Sequence, residues 1–331
     1  MIATTGFFDG VHSGHRLVID RLVSAARERG DKSLVVTFWP HPRAVLQDGA
    51  RELRLLTTLE EKKSLLQGLG VDRVEVLDFS RRFASLTAEQ YLRDILQARF
   101  GVTSLLMGYD NRLGSDRLTA VDLGPITQKL GMELIVADVR SGGTDVPEPM
   151  ATLGRIRGRG PLARNGTVGG TEQSLIAEGS GMSVSPDPIS STRIRKALEI
   201  GDIAAANQML GYGYALEGVV VAGNRLGRTI GFPTANMKLY EPLKLIPARG
   251  VYAVQVSVLG QTYRGMTNIG LRPTVGGTVP TIETNILDFS EDIYGLPLRI
   301  TFLRRIRNEV QFPSLEALKA QLVLDRETCR K

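Results

Sequence analysis

The chain has 331 residues, with 41 Lys or Arg against 35 Asp or Glu, so its formal net charge is +6. Apolar residues make up 42% and charged residues 23%, which excludes collagen-like, wholly disordered and coiled-coil chains. No apolar run approaches the roughly 20 residues that cross a bilayer, so we expect neither a membrane span nor a signal peptide. Cys329 is the only cysteine, which excludes a disulfide within the chain and is typical of a reducing, cytoplasmic protein.

Strands and helices alternate in the first part of the chain. Helical spacing is clearest from Ser13 to Arg29, and further helices are expected near 59–69, at 87–100 and before the last strand. Apolar runs predict five buried strands, at 2–8, 33–39, 71–79, 102–108 and 132–139. This alternation predicts an α/β, Rossmann-like domain with a parallel sheet, whose ligands bind beyond the carboxyl ends of the strands.

Residues 141–187 interrupt the alternation of strands and helices. The stretch contains 10 glycines and 4 prolines, and no aromatic residue. We interpret it as a solvated loop or insertion. Its four arginines leave open a second interpretation, a basic flap over a phosphate ligand; they are Arg155, Arg157, Arg159 and Arg164.

The pattern changes again near residue 200. A helical pair is followed by strands without intervening helices, which favours a closed barrel, and by a last helix at 314–328. The strands are predicted at 217–223, 250–258, 261–270, 281–289 and 296–303. We therefore expect a first domain at 1–200 that includes the 141–187 loop, a linker helix at 201–215, and a mostly β domain at 216–331.

A histidine pair stands at the start of the first long helix. His12 and His15 are three residues apart, so both imidazoles can face one anion beside the free N–H groups of the helix N-terminus. Gly14 between them permits close approach of a ligand to the backbone. We predict His12 and His15 to be catalytic, in a phosphate site that also uses Phe8, Asp9, Gly10 and Gly14.

A second phosphate motif begins the helix near residue 190. Hydroxyls at a helix start, followed by arginines on the first turn, suit phosphate oxygens, although Ser-Ser-Thr also caps helices that bind nothing. We predict Arg195 to be catalytic and its neighbours to bind phosphate: Ser190, Ser191, Thr192 and Arg193.

GFFDGVHSGH together with ISSTRIR resembles the H-x-G-H nucleotidyltransferases. The form F-D-G-V-H-x-G-H is similar to the adenylyltransferase half of the bifunctional bacterial riboflavin kinase/FMN adenylyltransferases (FAD synthetases). By this resemblance, GYDNRLG at 108–114 is a loop on the flavin side of the site, with Asp110 and Asn111. Leu113 stands where the family commonly has an aromatic residue. We interpret His41, in Pro40-His41-Pro42, as part of a structural turn.

A glycine-rich segment, VAGNRLGRTIGFPTAN, runs from Val221 to Asn236. Thr234 and Asn236 are two residues apart, and both carry hard oxygen donors suited to Mg²⁺ with ATP phosphates. Glu283, in TIETNILDF, has the chemistry to accept a proton from a substrate hydroxyl, but by itself it reads as one exposed strand glutamate. Phosphate contacts are predicted for Gly223, Gly227, Arg228 and Gly231.

The blocks of the second half resemble riboflavin kinases in their order along 216–331. They are G-x-x-x-G-R-x-I-G-F-P-T-A-N, GVYAV, MTNIGLRPTV, ETNILDF with DIYG, and FLRRIRNE. The resemblance implies that Thr234 and Asn236 hold Mg-ATP and that Glu283 is the base for the ribityl 5′-hydroxyl. It further implies a riboflavin-kinase barrel behind an FMN adenylyltransferase domain.

The expected function is ATP-dependent phosphorylation of riboflavin to FMN, then adenylylation of FMN to FAD with release of pyrophosphate. Mg²⁺ and ATP are the expected cofactor and co-substrate, and the protein is expected to be a monomer or weak homo-oligomer without a nucleic-acid or membrane partner. One alternative is a riboflavin kinase whose adenylyltransferase half is impaired, since 141–187 is long. A more remote alternative is a nucleic-acid-binding protein that uses the arginines of that stretch.

Overall fold

Five parallel strands form the sheet of the first part of the chain, in the order β3-β2-β1-β4-β5. The structure is a computed structural model that describes residues 1–46, 53–108, 111–137, 189–223, 226–274 and 277–330. The central strands are apolar on both faces and buried, as expected when helices cover both sides of a parallel sheet. The strands are β1 Ile2–Thr5, β2 Ser33–Trp39, β3 Arg73–Asp78, β4 Ser104–Gly108 and β5 Glu133–Ala137.

Helices connect these strands. A π-helical segment, Tyr91–Gln97, lies between the fifth and sixth helices. Thr58 and Glu61 form a capping box at the start of α3, as Thr87 and Gln90 do at α5, where the sequence predicts one. In the part of the chain that the structure describes, no helix has the length and apolar character needed to cross a membrane. The helices are α1 Ser13–Glu28, α2 Pro42–Leu46, α3 Leu59–Gly68, α4 Arg81–Ala84, α5 Ala88–Gln90, α6 Ala98–Phe100 and α7 Ala120–Lys129.

The first strand is shorter than the sequence predicts. β1 ends at Thr5 rather than at residue 8, because the backbone then enters a tight turn. Phe8, Gly10 and Val11 all have positive φ, at 51°, 82° and 37°. Such angles are incompatible with a β-strand and are costly for Phe and Val, so packing must hold this turn in place. The predicted loop at 141–187 lies outside the described residues.

Two short helices lead to the second half: α8 Ser191–Ile200 and α9 Ile203–Leu210. Their apolar faces, including Ile194, Leu198 and Leu210, belong to the same buried cluster as the interior of the barrel that follows. Leu56, from the α/β part, packs into that cluster as well. The two halves of the chain therefore share one core at this point, and the domain limits at 200 and 215 stay a prediction.

Six antiparallel strands close into a barrel in the order β10-β7-β6-β11-β8-β9. The predicted barrel and C-terminal helix are confirmed, and the hairpin turn at Leu259-Gly260 lies between β8 and β9. The strand β7 was not predicted, because Phe-Pro-Thr-Ala-Asn reads as a turn and the apolar run after it is short. The elements are β6 Ala215–Val221, α10 Leu226–Thr229, β7 Ala235–Leu239, β8 Gly250–Val258, β9 Gln261–Thr274, β10 Gly277–Ile286, β11 Pro297–Arg307 and α11 Leu315–Arg330.

Candidate active sites

The histidine pair lies at the N-terminus of α1, as the sequence predicts. His12 is the N-cap residue, and its Nδ1 accepts a hydrogen bond from the backbone N–H of His15 at 3.4 Å. The two rings stack with centroids 3.7 Å apart, and the Phe8 ring meets His15 edge-on at 5.2 Å. A Cβ on Gly14 would lie 3.3 Å from the His12 ring, so glycine leaves room for that imidazole. Because Nδ1 of His12 is an acceptor, neutral His12 carries its proton on Nε2 and has that N–H to donate.

Burial keeps both imidazoles neutral at physiological pH. It lowers the pKa of His12 to about 4, against the opposing effect of Asp9. The pKa of His15 is held well below its ordinary value by burial first, and then by His12 and Lys62. The Nδ1 atom of His15 is buried and has no hydrogen-bond partner among the described residues. The pair is therefore built to offer hydrogen bonds to an anion rather than full positive charges.

The Asp9 carboxylate organises the turn before the histidines. It is 3% exposed and accepts hydrogen bonds from Leu56 N (3.1 Å), Thr57 N (3.1 Å) and Thr57 Oγ1 (3.2 Å). It also forms an ion pair with Arg195. With its oxygens occupied by these donors, the carboxylate supports the phosphate-binding turn. Direct contact of Asp9 with phosphate remains a prediction.

The second phosphate motif meets the first, although the two are more than 180 residues apart. Ser190 caps α8 by accepting from Arg193 N, and Ser191 Oγ donates to the Asp9 carbonyl at 2.9 Å. Besides its ion pair with Asp9, Arg195 donates from Nε to the Arg54 carbonyl at 2.7 Å. These contacts use two of the five guanidinium N–H groups, and among the described residues the other three have no partner and can bind a phosphate. Thr192 and Arg193 are exposed on the first turn of α8.

One cation near this turn, Lys62, was missed by the sequence reasoning. Lys62 is 0% exposed, lies 3.6 Å from the centroid of the Phe7 ring and donates to Thr37 Oγ1 at 3.4 Å. Burial lowers its pKa to about 8, and Asp9 opposes that shift. The sequence signal for the burial of Lys62 was its position four residues before Leu66, on the apolar face of α3.

His41 also lies beside the first site. Its ring centroid is 4.1 Å from that of Phe7, and burial lowers its pKa to about 4 while Asp9 raises it and Arg195 lowers it. Its Nδ1 accepts from Arg43 N at 3.0 Å, which supports its interpretation as a turn residue. All three histidines of the chain thus lie in the electrostatic environment of one site.

A small cavity of about 130 Å³ opens at the carboxyl ends of β1 and β4. Asn111, from the predicted flavin-side loop, lines it, whereas Asp110 lies outside the described residues. Leu113 lines the cavity too and pairs through its backbone with Leu118. Pockets for whole small-molecule ligands usually measure about 300–1,000 Å³, so this cavity is large enough for only part of a flavin.

The barrel carries a second, larger cavity of about 310 Å³. Thr234 and Glu283 line it together, as the sequence predicts, and Glu283 stands directly opposite Asn236 in the β10–β7 register. Opposite residues of an antiparallel pair have their Cβ atoms about 4.5–5.5 Å apart on one face of the sheet. The carboxylate, the hydroxyl and the carboxamide therefore converge on one site.

The predicted glycines shape the entrance to this cavity. A Cβ at Gly223 would lie 2.2 Å from Asn236 Nδ2, and one at Gly227 would lie 2.1 Å from the Phe232 carbonyl. Glycine at both positions is thus required by close packing against the Phe-Pro-Thr-Ala-Asn segment. Gly231 has φ 81°, and the exposed Arg228 lies 5.9 Å from the centroid of the Tyr294 ring.

The remaining walls of the barrel cavity were not predicted as site residues. Asn285 lines it and donates to the Pro233 carbonyl at 2.7 Å, which ties β10 to the segment that carries Thr234. Arg307 also lines it and is held by a bidentate ion pair with Asp325 of α11. The apolar wall consists of Val251, Met266, Val310, Phe312, Leu318 and Leu322. The available signal for Asn285 was an asparagine directly before the apolar pair Ile286-Leu287 in the predicted strand.

Two family models match the chain, and they match different halves of it. A model described as FAD synthetase matches residues 1–146, and one described as riboflavin kinase matches residues 210–331. The first contains the histidine pair and the second contains the barrel cavity.

Similar proteins match over the whole chain. It is 37% identical over 331 residues to the bifunctional riboflavin kinase/FMN adenylyltransferase of Escherichia coli (strain K12), covering 100% of this chain and 92% of that protein. It is 33% identical over 329 residues to the protein of the same name from Bacillus subtilis (strain 168), covering 98% and 90%. A crystal structure from Streptococcus pneumoniae, described as a macrolide-efflux protein, shares the fold with a TM-score of 0.81 at 32% identity, covering 100% and 93%. With both family models and full-length relatives in agreement, the chain belongs to the family of bifunctional riboflavin kinase/FMN adenylyltransferases.

Proposed function

We propose that the two activities of this bifunctional enzyme are divided between the two sites described above. The barrel site transfers the γ-phosphoryl group of ATP to riboflavin, which gives FMN and ADP. The histidine site joins FMN to the adenylyl group of a second ATP, which gives FAD and pyrophosphate. The observation that supports this division most directly is that Glu283 and Thr234 line one cavity, with Asn236 opposite Glu283 in the β10–β7 register, and that neither His12 nor His15 lines this cavity.

In the barrel, Glu283 is the general base. It accepts the proton of the ribityl 5′-hydroxyl as that oxygen forms a bond to the γ-phosphorus and the bond to ADP breaks. The glycines at 223, 227 and 231 let the backbone approach the ATP phosphates, and Arg228 adds positive charge beside them.

The same site fits a magnesium ion. Thr234 and Asn236 offer neutral oxygen donors, and the described residues contain no cluster of three or more His, Cys, Asp or Glu that would form a complete protein cage. That donor set suits Mg²⁺, which is commonly held by few protein ligands together with substrate phosphates and water. When bound, the ion would neutralise the charge of the β- and γ-phosphates.

In the α/β half, the nucleophile is the FMN phosphate, which is already an anion and needs no base. Its oxygen forms a bond to the α-phosphorus of ATP as the bond to pyrophosphate breaks. His12, His15 and Arg195 stabilise the charge on the phosphates, together with the backbone of Phe8, Gly10 and Gly14 at the start of α1. Ser190, Ser191, Thr192 and Arg193 hold the leaving phosphates at the start of α8, and Asn111 lies on the flavin side.

The proposal places the adenylyltransferase domain at 1–200, the linker helix at 201–215 and the kinase domain at 216–331. It places the enzyme in the cytoplasm as a monomer or weak homo-oligomer that binds riboflavin, FMN and ATP. The family matches give no support to the kinase-only or nucleic-acid-binding alternatives. The arginines on which the latter depends lie outside the described residues.

The test is a product assay with the full-length protein, ATP and Mg²⁺. From riboflavin we expect FMN to appear first and FAD with pyrophosphate to follow, and from FMN we expect FAD directly. Excess EDTA is expected to stop FMN formation. Conversion of riboflavin to FMN without any FAD from either substrate would contradict the adenylyltransferase assignment and favour the kinase-only alternative.

A further inference from the structure

A lysine on the barrel side of the chain reaches the segment that holds Asp9. Lys244 lies between β7 and β8 and is 3% exposed. Its Nζ donates to the Leu56 carbonyl at 2.8 Å and forms an ion pair with Glu61, which is also buried. Neither contact is with a residue of the barrel itself.

One peptide group links Lys244 to Asp9. The carbonyl of Leu56 accepts from Lys244, and the N–H of the same peptide, which belongs to Thr57, donates to Asp9 Oδ1 at 3.1 Å. The N–H of Leu56 also donates to the Asp9 carboxylate. A cation at a carbonyl polarises the peptide and strengthens its N–H as a donor, so the bond to Lys244 reinforces the bond to Asp9.

The backbone around this peptide is fixed from the barrel side as well. Leu55 N donates to the Leu243 carbonyl at 2.8 Å, and Leu245 N donates to the Leu55 carbonyl at 2.9 Å. Glu61 Oε2 accepts from Thr58 N at 2.8 Å, so the ion pair with Lys244 also anchors the start of α3. The segment 55–58 is therefore held at both ends by residues 243–245.

Two contacts, one of Asp9 and one of Gly10, connect this peptide to the histidine site. The Asp9 carboxylate is the ion-pair partner of Arg195, and Gly10 N donates to Thr57 Oγ1 at 3.1 Å. A shift of the Leu56–Thr57 peptide would move both Arg195 and the strained turn that carries His12.

We propose that Lys244 is a positioning residue for FMN adenylylation, supplied by the kinase half of the chain. It fixes the Leu56–Thr57 peptide against Asp9 and thereby sets the guanidinium of Arg195 and the histidine turn. It touches no substrate and does not line the cavity that holds Glu283. The inference rests on the proposed adenylyltransferase function of the histidine site.

The test compares both activities of full-length Lys244→Met. We expect kcat for FAD formation from FMN to fall by about 10- to 100-fold, because a small misplacement of catalytic groups has effects of this size, with a smaller change in KM for ATP. FMN formation from riboflavin is expected to stay within about twofold, and it reports that the same molecules are folded. A proportional loss of both activities, or no loss of either, would overturn the proposal.

A second variant separates positioning from stability. Lys244→Met leaves the Glu61 carboxylate buried without its cation, which destabilises the fold. In Lys244→Met/Glu61→Gln that charge is gone while the cap on Thr58 N is kept, so we expect the melting temperature to recover and FAD formation to stay low. Glu61→Gln alone is the matched control: it leaves Lys244 buried without its anion, so the melting temperature is expected to fall, but it keeps the bond from Lys244 to the Leu56 carbonyl, so FAD formation is expected to stay near that of the wild type.

Recovery of FAD formation together with the melting temperature in the double variant would show that Lys244 acts only on stability. If wild-type protein made no FAD from FMN, the proposed function of the site would fail. If wild type and Lys244→Met made FAD at equal rates, only the positioning role would fail.

Discussion

The two candidate sites of this chain present opposite chemistry to the same co-substrate. The histidine site offers neutral imidazoles, an arginine and the N–H groups at a helix start, while the carboxylate of Asp9 is occupied by internal donors. The barrel site offers the carboxylate of Glu283 beside a hydroxyl and a carboxamide. Under the proposed division of activities, the difference follows from the nucleophile, since an alcohol must lose a proton during attack whereas a phosphate anion has none to lose.

The sites also differ in how they are assembled. The barrel residues come from neighbouring strands, so the register of β7 and β10 alone brings Glu283 opposite Asn236. The histidine site joins segments that are 47 and 186 residues apart in the chain, through the contacts of Asp9 with Leu56 and Arg195. Under the proposed division, adenylylation therefore depends on long-range packing more than phosphorylation does.

Glu283→Gln provides the strongest test of this division. Loss of the general base is expected to lower FMN formation about 10³-fold and to leave conversion of FMN to FAD unchanged. The two reactions are measured separately, from riboflavin and from FMN, by chromatography of the flavin products. Glu291→Gln, at an exposed position, is the control and should affect neither. An equal loss of both activities by Glu283→Gln in a folded protein would break the comparison.

His15→Ala is the reciprocal change. Removal of one donor to the phosphate charge is expected to lower FAD formation from FMN by about 10²- to 10³-fold. FMN formation from riboflavin by the same preparation serves as the internal control and should stay within about twofold. A comparable decline of the kinase reaction would mean that His15 supports the whole fold rather than one site.

Gly223→Ala tests the geometry of the metal ligands with a smaller expected effect. The added Cβ would lie 2.2 Å from Asn236 Nδ2 and must displace that side chain. We expect FMN formation to fall about tenfold, with a higher requirement for Mg²⁺, and FAD formation to be unaffected. Gly124→Ala, where a Cβ meets nothing within 4 Å, is the matched control. Unchanged kinase activity in Gly223→Ala would remove Asn236 from the proposed ligands.

The smallest expected effect is on the pH dependence of the free energy of unfolding. It bears on the comparison of the two halves because all three histidines lie in the α/β half. The pKa of His12 is about 4 in the folded chain and about 6.5 when exposed, so the unfolded state binds its proton first as pH falls. The contribution of neutral His12 to the free energy of unfolding is complete above about pH 6.5 and is lost towards pH 4. For His12 alone, the loss between pH 7.5 and pH 5 amounts to about 2 kcal/mol. The lowered pKa values of His15 and His41 act in the same direction.

Denaturant unfolding of the wild type and of His12→Asn at both pH values measures this contribution. The variant is expected to show a shallower decline in the free energy of unfolding on acidification. An identical pH dependence in both proteins would mean that His12 is not held neutral by burial.

Residue spacing was sufficient to predict the features that depend on residues close together in the chain. The alternation of strands and helices, the placement of His12 and His15 on one helix start, the capping box at Thr87, and the change to a barrel near residue 200 all follow from spacings of two to four residues. The resemblance to the family then identified Glu283, which local pattern alone could not distinguish from any other strand glutamate.

Contacts between residues far apart in the chain could be established from the folded structure alone. That structure gave Asp9 three donors and an arginine, buried Lys62 against Phe7, made Ala235–Leu239 a sixth barrel strand, and brought Lys244 to the Leu56 carbonyl. The physical reason is that helix and strand periodicity fixes the direction of a side chain from its near neighbours. Burial, the partner of a charge and the pKa of an imidazole depend instead on which distant segments the hydrophobic core packs together.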